Sequence, residues 1–152
     1  MNVRVMYGTE SGNAEMVADE IVDALAGHGL EATSQDLSDV DVASLNPATV
    51  ILVSSTYNEG DLPASAEPFV AALDLLQPDL SGVRFAAFGL GDSTYEFYNN
   101  GIDTLRKLLT HLGAEQVGDT GKHDASSGAS PIEPAVAWTS AVISNLTLTT
   151  TS

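Results

Sequence analysis

The chain has 152 residues, the usual length of one domain, and its 43% hydrophobic and 17% charged residues are typical of a globular protein. It contains no cysteine, which excludes a disulfide framework, a thiolate metal site and a cysteine nucleophile. Its 21 acidic and 5 basic residues give a net charge of −16, which makes nucleic acid and anionic membranes poor partners.

The first half of the chain alternates short apolar runs with longer stretches of helical period, which is typical of an α/β domain. The pattern predicts a strand over Val3–Tyr7, a helix over Gly12–Ala26 and an edge strand over Glu31–Asp36. Thr49–Ser54 contains four consecutive apolar residues, as expected for a central strand that is buried on both faces. A helix over Ala66–Leu76 follows, with its proline in the first turn.

The second half repeats the alternation and ends in a low-complexity tail. The predicted elements are a strand over Val83–Phe88, a helix from Asn99 or Asn100 to His111 or Leu112, a strand over Ala114–Gly118 and a helix from Pro131 or Pro134 to about Leu146. We expect one domain over residues 1–146 and a disordered tail over 147–152. Parallel strands joined by helices form a doubly wound sheet with helices on both faces, and such sheets bind ligands at the carboxyl ends of their strands.

The loop after the first strand has the chemistry of an anion site. It reads Gly8-Thr9-Glu10-Ser11-Gly12-Asn13-Ala14-Glu15 and opens directly onto a helix. The backbone N–H groups at a helix start are unsatisfied and the helix dipole favours negative charge, so a phosphate would fit there. The loop matches neither the nucleotide-triphosphate P-loop nor the dinucleotide fingerprint. An ordinary capped helix start remains the alternative for this segment.

Two further loops carry aromatic residues to the same edge of the predicted sheet. The third strand is followed by Ser54-Ser55-Thr56-Tyr57-Asn58-Glu59-Gly60, and the fourth contributes Phe88-Gly89-Leu90-Gly91-Asp92-Ser93-Thr94-Tyr95. A single tyrosine is more often a packing residue than a cofactor contact. Two tyrosine-bearing loops beside a phosphate loop, however, predict a slot for a flat ring system.

These three segments together resemble the flavodoxin family, most closely the branch shared by MioC-type flavodoxins and the FMN domains of diflavin reductases. The resemblance covers about residues 3–146 and implies a flavodoxin-like five-stranded parallel sheet of order 2-1-3-4-5. It implies that the first loop surrounds the FMN phosphate and that Tyr57 and Tyr95 pack on the two faces of the flavin ring. The residues implied in cofactor binding are Thr9, Glu10, Ser11, Gly12, Asn13, Ala14, Ser55, Thr56, Tyr57, Asn58, Glu59, Gly60, Leu90, Gly91, Asp92, Tyr95, Tyr98 and Asp124.

The resemblance also implies a function, namely a small soluble electron carrier that shuttles low-potential electrons between redox proteins and is not a self-sufficient reductase. The acidic charge suits partners with basic docking surfaces, although solubility or adaptation to salt is an equally open reason for the acidity. The expected donor is of the flavodoxin reductase type and the acceptor is open. Because no long insertion interrupts Ala114–Gly118, the chain resembles the short-chain type. A monomer without a metal site is expected, and the lack of a signal peptide pattern or apolar spanning run predicts a cytoplasmic location without a membrane partner.

Three other classes of function are weaker readings of the same residues. A phospho-receiver domain needs paired acids near the first strand and an aspartate after the third, where this chain has Gly8-Thr9 and Ser54-Ser55-Thr56. No Ser-His-Asp arrangement points to an enzyme with its own substrate. A non-redox flavin-binding or partner-docking module of the same fold remains the alternative.

Overall fold

The computed structural model of the chain describes residues 2–8, 13–45, 48–55, 66–91, 100–117, 120–124 and 132–148. Across these ranges the strands are β1 (Asn2–Gly8), β2 (Glu31–Asp36), β3 (Ala48–Ser55), β4 (Val83–Gly91), β5 (Glu115–Gln116) and β6 (Gly121–Asp124). The helices are α1 (Asn13–Gly27), α2 (Glu67–Leu76), α3 (Asn100–His111) and α4 (Ile132–Leu148), with short 3-10 helices at Leu37–Asp39 and Val42–Ser44. None of the described helices is long and apolar enough to cross a membrane.

The strands form one parallel sheet in the order β2-β1-β3-β4-β5, and β6 pairs with β4 as well. Helices α1, α2 and α3 each connect the carboxyl end of one strand to the amino end of the next, as parallel pairing requires, and α4 follows β6. The predicted sheet order and the predicted helices on both faces are therefore confirmed.

Two apolar layers cover the two faces of the sheet, because successive side chains of a strand point to opposite sides. On β4, Phe85 and Ala87 belong to the layer that includes α2 and α3, whereas Ala86 and Phe88 belong to the layer that includes α1 and α4. Residues 50–53 of β3 are fully buried, which confirms the prediction of a central strand. By contrast, β2 has exposed and half-buried side chains, as expected at a sheet edge.

A glycine with positive φ lies two residues beyond the last residue of α1 and of α3. Gly29 has φ 80° and Gly113 has φ 110°, a region of backbone conformation that other residues rarely adopt. At each end the residue after the glycine donates its N–H to a carbonyl five residues back, from Leu30 to Leu25 and from Ala114 to Leu109. This is the hydrogen-bond pattern of the Schellman motif, which closes the helix and aims the chain toward the next strand.

The fifth position of the sheet differs from the prediction of one strand over Ala114–Gly118. Here β5 and β6 lie in line along β4, with Gln116 opposite Phe85 and Gly121 opposite Phe88. Four residues separate the two segments whereas two residues separate their partners on β4, so one continuous strand could not keep this register. The polar segment of β6 lacks an apolar strand pattern, and its pairing with β4 decides its conformation.

Two other boundaries also extend beyond the prediction. Strand β4 continues past Phe88 to Gly91, because β6 and the end of β3 pair with its last residues. Helix α4 continues past Leu146 to Leu148, so Thr147 and Leu148 belong to the helix rather than to a disordered tail. The rest of the predicted tail, residues 149–152, lies outside the described residues.

Candidate functional site

The strand register brings the carboxyl ends of four strands together at one edge of the sheet. Gly8 of β1 lies opposite Ser54 of β3, and Ser54 lies opposite Gly89 of β4. On the other side of β4, Leu90 lies opposite His123 of β6. The order of the sheet reverses between β1 and β3, which is where doubly wound sheets bind their ligands.

Buried polar groups lie beside an apolar surface at this edge. Ser54 is fully buried between two glycine-bearing strands, and His123 and Leu90 are only 7% and 6% exposed. Neither Ser54 nor His123 was among the predicted cofactor contacts. Ser54 could have been identified from the sequence, because it is a polar residue at the end of the buried apolar run of β3. His123 could not, because only its pairing with β4 places it at this edge.

Helix α1 begins at this same edge and presents its amino terminus to it. Asn13 is the first helical residue and Ala14, in the first turn, is fully buried. The first N–H groups of an α-helix have no partner within the helix, and the helix dipole makes this end positive. The helix start therefore offers an anion site that needs no basic side chain.

A tyrosine and a glutamate flank this helix start. The Tyr7 hydroxyl donates a hydrogen bond to Oε1 of Glu15 at 3.3 Å, joining the end of β1 to the first turn of α1. Burial, followed by the charges of Glu15 and Asp36, raises the pKa of Tyr7 from 10.0 to about 12. The folded state therefore favours the protonated phenol. Its contribution to the stability of the fold is fully present below pH 10 and is lost as the pH rises through about 12.

Six of the predicted contact residues fall within the described part of the chain, and all six lie at the carboxyl edge of the sheet. They are Asn13 and Ala14 at the start of α1, Ser55 at the end of β3, Leu90 and Gly91 at the end of β4, and Asp124 at the end of β6. The other predicted contacts lie outside the described residues: Thr9, Glu10, Ser11, Gly12, Thr56, Tyr57, Asn58, Glu59, Gly60, Asp92, Tyr95 and Tyr98.

Acidic residues lie around this edge, because each of the four described α-helices follows a strand end there and carries one in its first turn. They are Glu15, Glu67, Asp103 and Glu133. An acid in the first turn stabilises a helix through the dipole. The same placement puts four negative charges around the candidate site, while the opposite edge carries both acids, such as Glu31 and Glu115, and the basic Arg84.

The donor groups at the edge fit FMN. A phosphate matches the positive dipole at the start of α1 and its first N–H groups, which have no partner within the helix. Within the described ranges, no group of three histidine, aspartate or glutamate side chains is arranged to hold a metal ion.

Comparison with known proteins places this architecture in a family. The family model described as Flavodoxin matches residues 5–138. Protein MioC of Escherichia coli O157:H7 is 33% identical over 138 residues, which cover 90% of this chain and 92% of MioC. Human NADPH--cytochrome P450 reductase is 36% identical over 129 residues, which cover 81% of this chain but only 19% of the reductase.

A solved structure agrees with these sequence relationships. A cysteine-to-serine variant of flavodoxin from Pseudomonas aeruginosa superposes with a TM-score of 0.87 and 29% sequence identity. The match covers 97% of this chain and 99% of that one. The family model, the whole-length relative and the fold all lead to one assignment. The chain belongs to the flavodoxin family, a family of FMN-binding electron carriers.

Proposed function

We propose that the chain holds one FMN at the carboxyl edge of its sheet and passes single electrons between separate redox proteins. The observation that carries this proposal is the convergence of Gly8, Ser54 and Leu90 on the strand ends beside the start of α1. Bound FMN would supply the one-electron redox chemistry. The protein supplies a phosphate site, a surface for the ring and an approach for partners.

We assign the FMN phosphate to the loop between β1 and α1, with contacts from Thr9 to Ala14. The buried helix start at Ala14 supports this assignment, because its N–H groups and dipole neutralise an anion without a basic side chain. We assign the ring to the ends of β3 and β4, where Tyr57 and Tyr95 would pack on its two faces. The register of the two strands supports this assignment from the described part of the chain, because it places Ser55 at the end of β3 opposite Leu90 near the end of β4.

We further propose that the partners dock at the carboxyl edge through basic surfaces. The acids in the first turns of the four described α-helices support this, since they place negative charge around the edge where electrons would enter and leave. Complementary charge steers encounter and orients the two proteins. The electron donor and acceptor remain separate proteins in this proposal, and the monomeric state and cytoplasmic location remain predictions.

Titration of the purified protein with flavins tests the proposal. We expect flavin absorption bands in the protein and tight one-to-one binding of FMN, with weaker binding of FAD because its adenylate must extend from an enclosed phosphate. Absence of flavin binding, or equal affinity for FAD, would contradict the proposed site. Binding of FMN without reversible reduction would favour the non-redox alternative.

The ring assignment is tested with two variants in the same titration. Tyr95→Ala should weaken FMN binding by at least about 0.5 to 1.5 kcal/mol, the stacking contribution of an aromatic pair beyond its buried area. Tyr57→Ala should weaken it as well. Unchanged affinity in both variants would show that the two tyrosines do not hold the ring.

Electron transfer to a basic acceptor should slow as salt rises. Exposed charges are screened beyond about 8 Å at 0.15 M ionic strength, so steering by the acidic edge weakens. Stopped-flow oxidation of the reduced protein by cytochrome c, a basic acceptor, measures the effect. The anionic acceptor ferricyanide should show the opposite salt dependence.

Variants near the carboxyl ends and near the amino ends of the strands test which acidic residues cause the salt dependence. Glu67→Gln with Glu133→Gln removes charge from the carboxyl edge and should slow the reaction with cytochrome c several-fold at low salt. Glu31→Gln with Glu115→Gln removes the same charge from exposed positions at strand starts and should have little effect. Equal effects of the two pairs would mean that only net charge matters and that no docking edge exists.

A further inference from the structure

The contact between Tyr7 and Glu15 joins the two ends of the proposed phosphate loop. Tyr7 is the penultimate residue of β1, and Glu15 is the third residue of α1. The hydroxyl of Tyr7 donates to Oε1 of Glu15 at 3.3 Å, while its ring packs against the apolar layer under α1. The contact thus gives a carboxylate in the first turn of the helix a hydrogen-bond donor on the β1 side.

The Glu15 carboxylate could also take a second position, in which it would compete with a phosphate for the start of α1. A glutamate at the third residue of a helix can turn back and accept a hydrogen bond from the backbone N–H at the start of the helix. The N–H groups at this start are also the donors that an anion would use. In that position Glu15 would occupy one of the donors at the start of α1 and add its own negative charge beside the others.

Neighbouring charges favour that competing position. Asp19 lies four residues after Glu15 on the same face of α1, and Asp36 lies opposite Tyr7 on β2. The Asp19 carboxylate repels that of Glu15, because like charges at this helical spacing are destabilising. The Tyr7 hydroxyl offsets the repulsion by giving Glu15 a donor on the β1 side. Burial and the nearby carboxylates raise the pKa of Tyr7 to about 12, so the donor keeps its proton over the whole neutral range.

We propose that Tyr7 is a positioning residue for phosphate recognition, because its hydroxyl holds the Glu15 carboxylate away from the start of α1 and leaves the helix N–H groups to the FMN phosphate. This inference rests on the proposed function. It predicts that Tyr7 contributes to the affinity for the phosphate group of FMN and not to the affinity for the flavin ring.

Comparison of FMN with riboflavin isolates that part, since riboflavin has the same ring without the phosphate. Tyr7→Phe keeps the ring of the side chain in the apolar layer and removes only the hydroxyl. We expect the Kd for FMN to rise about three- to tenfold, the factor that one hydrogen bond contributes. We expect the Kd for riboflavin to stay unchanged.

A second variant tests whether Tyr7 acts through Glu15. Tyr7→Phe combined with Glu15→Gln removes the competing charge, so the double variant should recover most of the lost FMN affinity. Ser34→Ala is the matched control, because it removes a hydroxyl-to-carboxylate contact between β2 and α1 of 3.0 Å, from Ser34 to Asp19. It should leave the FMN to riboflavin ratio unchanged.

Several results would contradict the positioning role of Tyr7. Unchanged FMN affinity in Tyr7→Phe, or equal loss of FMN and riboflavin affinity, would overturn the positioning role. A double variant as weak as Tyr7→Phe would also overturn it, since Glu15 would then not be the intermediary. If the unaltered protein binds riboflavin and FMN equally, the phosphate site of the proposed function fails and this inference fails with it.

Discussion

Replacing Phe88 with alanine should lower the free energy of unfolding by about 3 to 5 kcal/mol, the usual cost of removing a buried phenylalanine side chain. Phe88 is 1% exposed, and its ring centroid lies 5.3 Å from that of Trp138 on α4 at an interplanar angle of 58°. The truncation removes this tilted aromatic contact and leaves a cavity between β4 and α4. Few neighbours can fill it, because the strand is paired on both sides.

Urea unfolding at one fixed FMN concentration measures the loss, since a ligand that binds only the folded state adds to apparent stability. Leu75→Ala serves as the control, because Leu75 is 83% exposed and its truncation removes little buried surface. A loss below about 1 kcal/mol for Phe88→Ala would mean that the region between β4 and α4 repacks freely, against the expectation for a close-packed core.

Gly121→Ala should lower the free energy of unfolding by about 1 to 3 kcal/mol or more, the typical cost of overpacking. A Cβ at Gly121 would lie 2.5 Å from Cδ2 of Phe88 and 2.6 Å from Cδ1 of Trp138. Both rings are held by the same apolar layer, so β6 must move away from α4 to accept the methyl group. Since β6 carries His123 and Asp124 to the candidate site, the Kd for FMN should rise as well.

Gly27→Ala is the matched control for this change. Gly27 ends α1 with nothing within 4 Å of an added Cβ, and alanine is favoured over glycine in a helix by about 1 kcal/mol, so stability should rise or stay unchanged. In the Phe88→Ala background the penalty of Gly121→Ala should shrink, because one of the two obstructing rings is gone. Strict additivity of the two changes would show that Phe88 is not the obstruction.

Elements whose signal is local were predictable from the sequence. The apolar run of β3 predicts burial on both faces whatever surrounds it, and residues 50–53 are fully buried. Gly29 and Gly113 lie just beyond α1 and α3, where glycine readily adopts the positive φ that closes a helix of this kind. The alternation of strands and helices, with right-handed crossovers, then leaves few sheet orders to choose from.

The convergence of the site was predictable for the same reason. In a parallel sheet every strand ends at the same edge, so loops that follow the first, third and fourth strands must meet there. The six predicted contacts within the described residues all lie at that edge. Their individual contacts with FMN remain predictions, which the flavin titrations test.

The tertiary structure alone decided what depends on a neighbour distant in sequence. The polar segment of β6 becomes a strand only because the end of β4 offers free backbone groups in register with it. Gly121 must be glycine because rings from two other elements lie where a Cβ would be, and no property of the residue itself announces this. The hydrogen bond between the Tyr7 hydroxyl and Glu15 likewise joins a strand to the helix that follows it. The sequence by itself determined the order of elements and the edge where they meet, because backbone conformation and apolar period depend on neighbouring residues along the chain. Packing between elements decided the conformation of β6 and the need for glycine at residue 121, because both depend on residues that are distant in sequence.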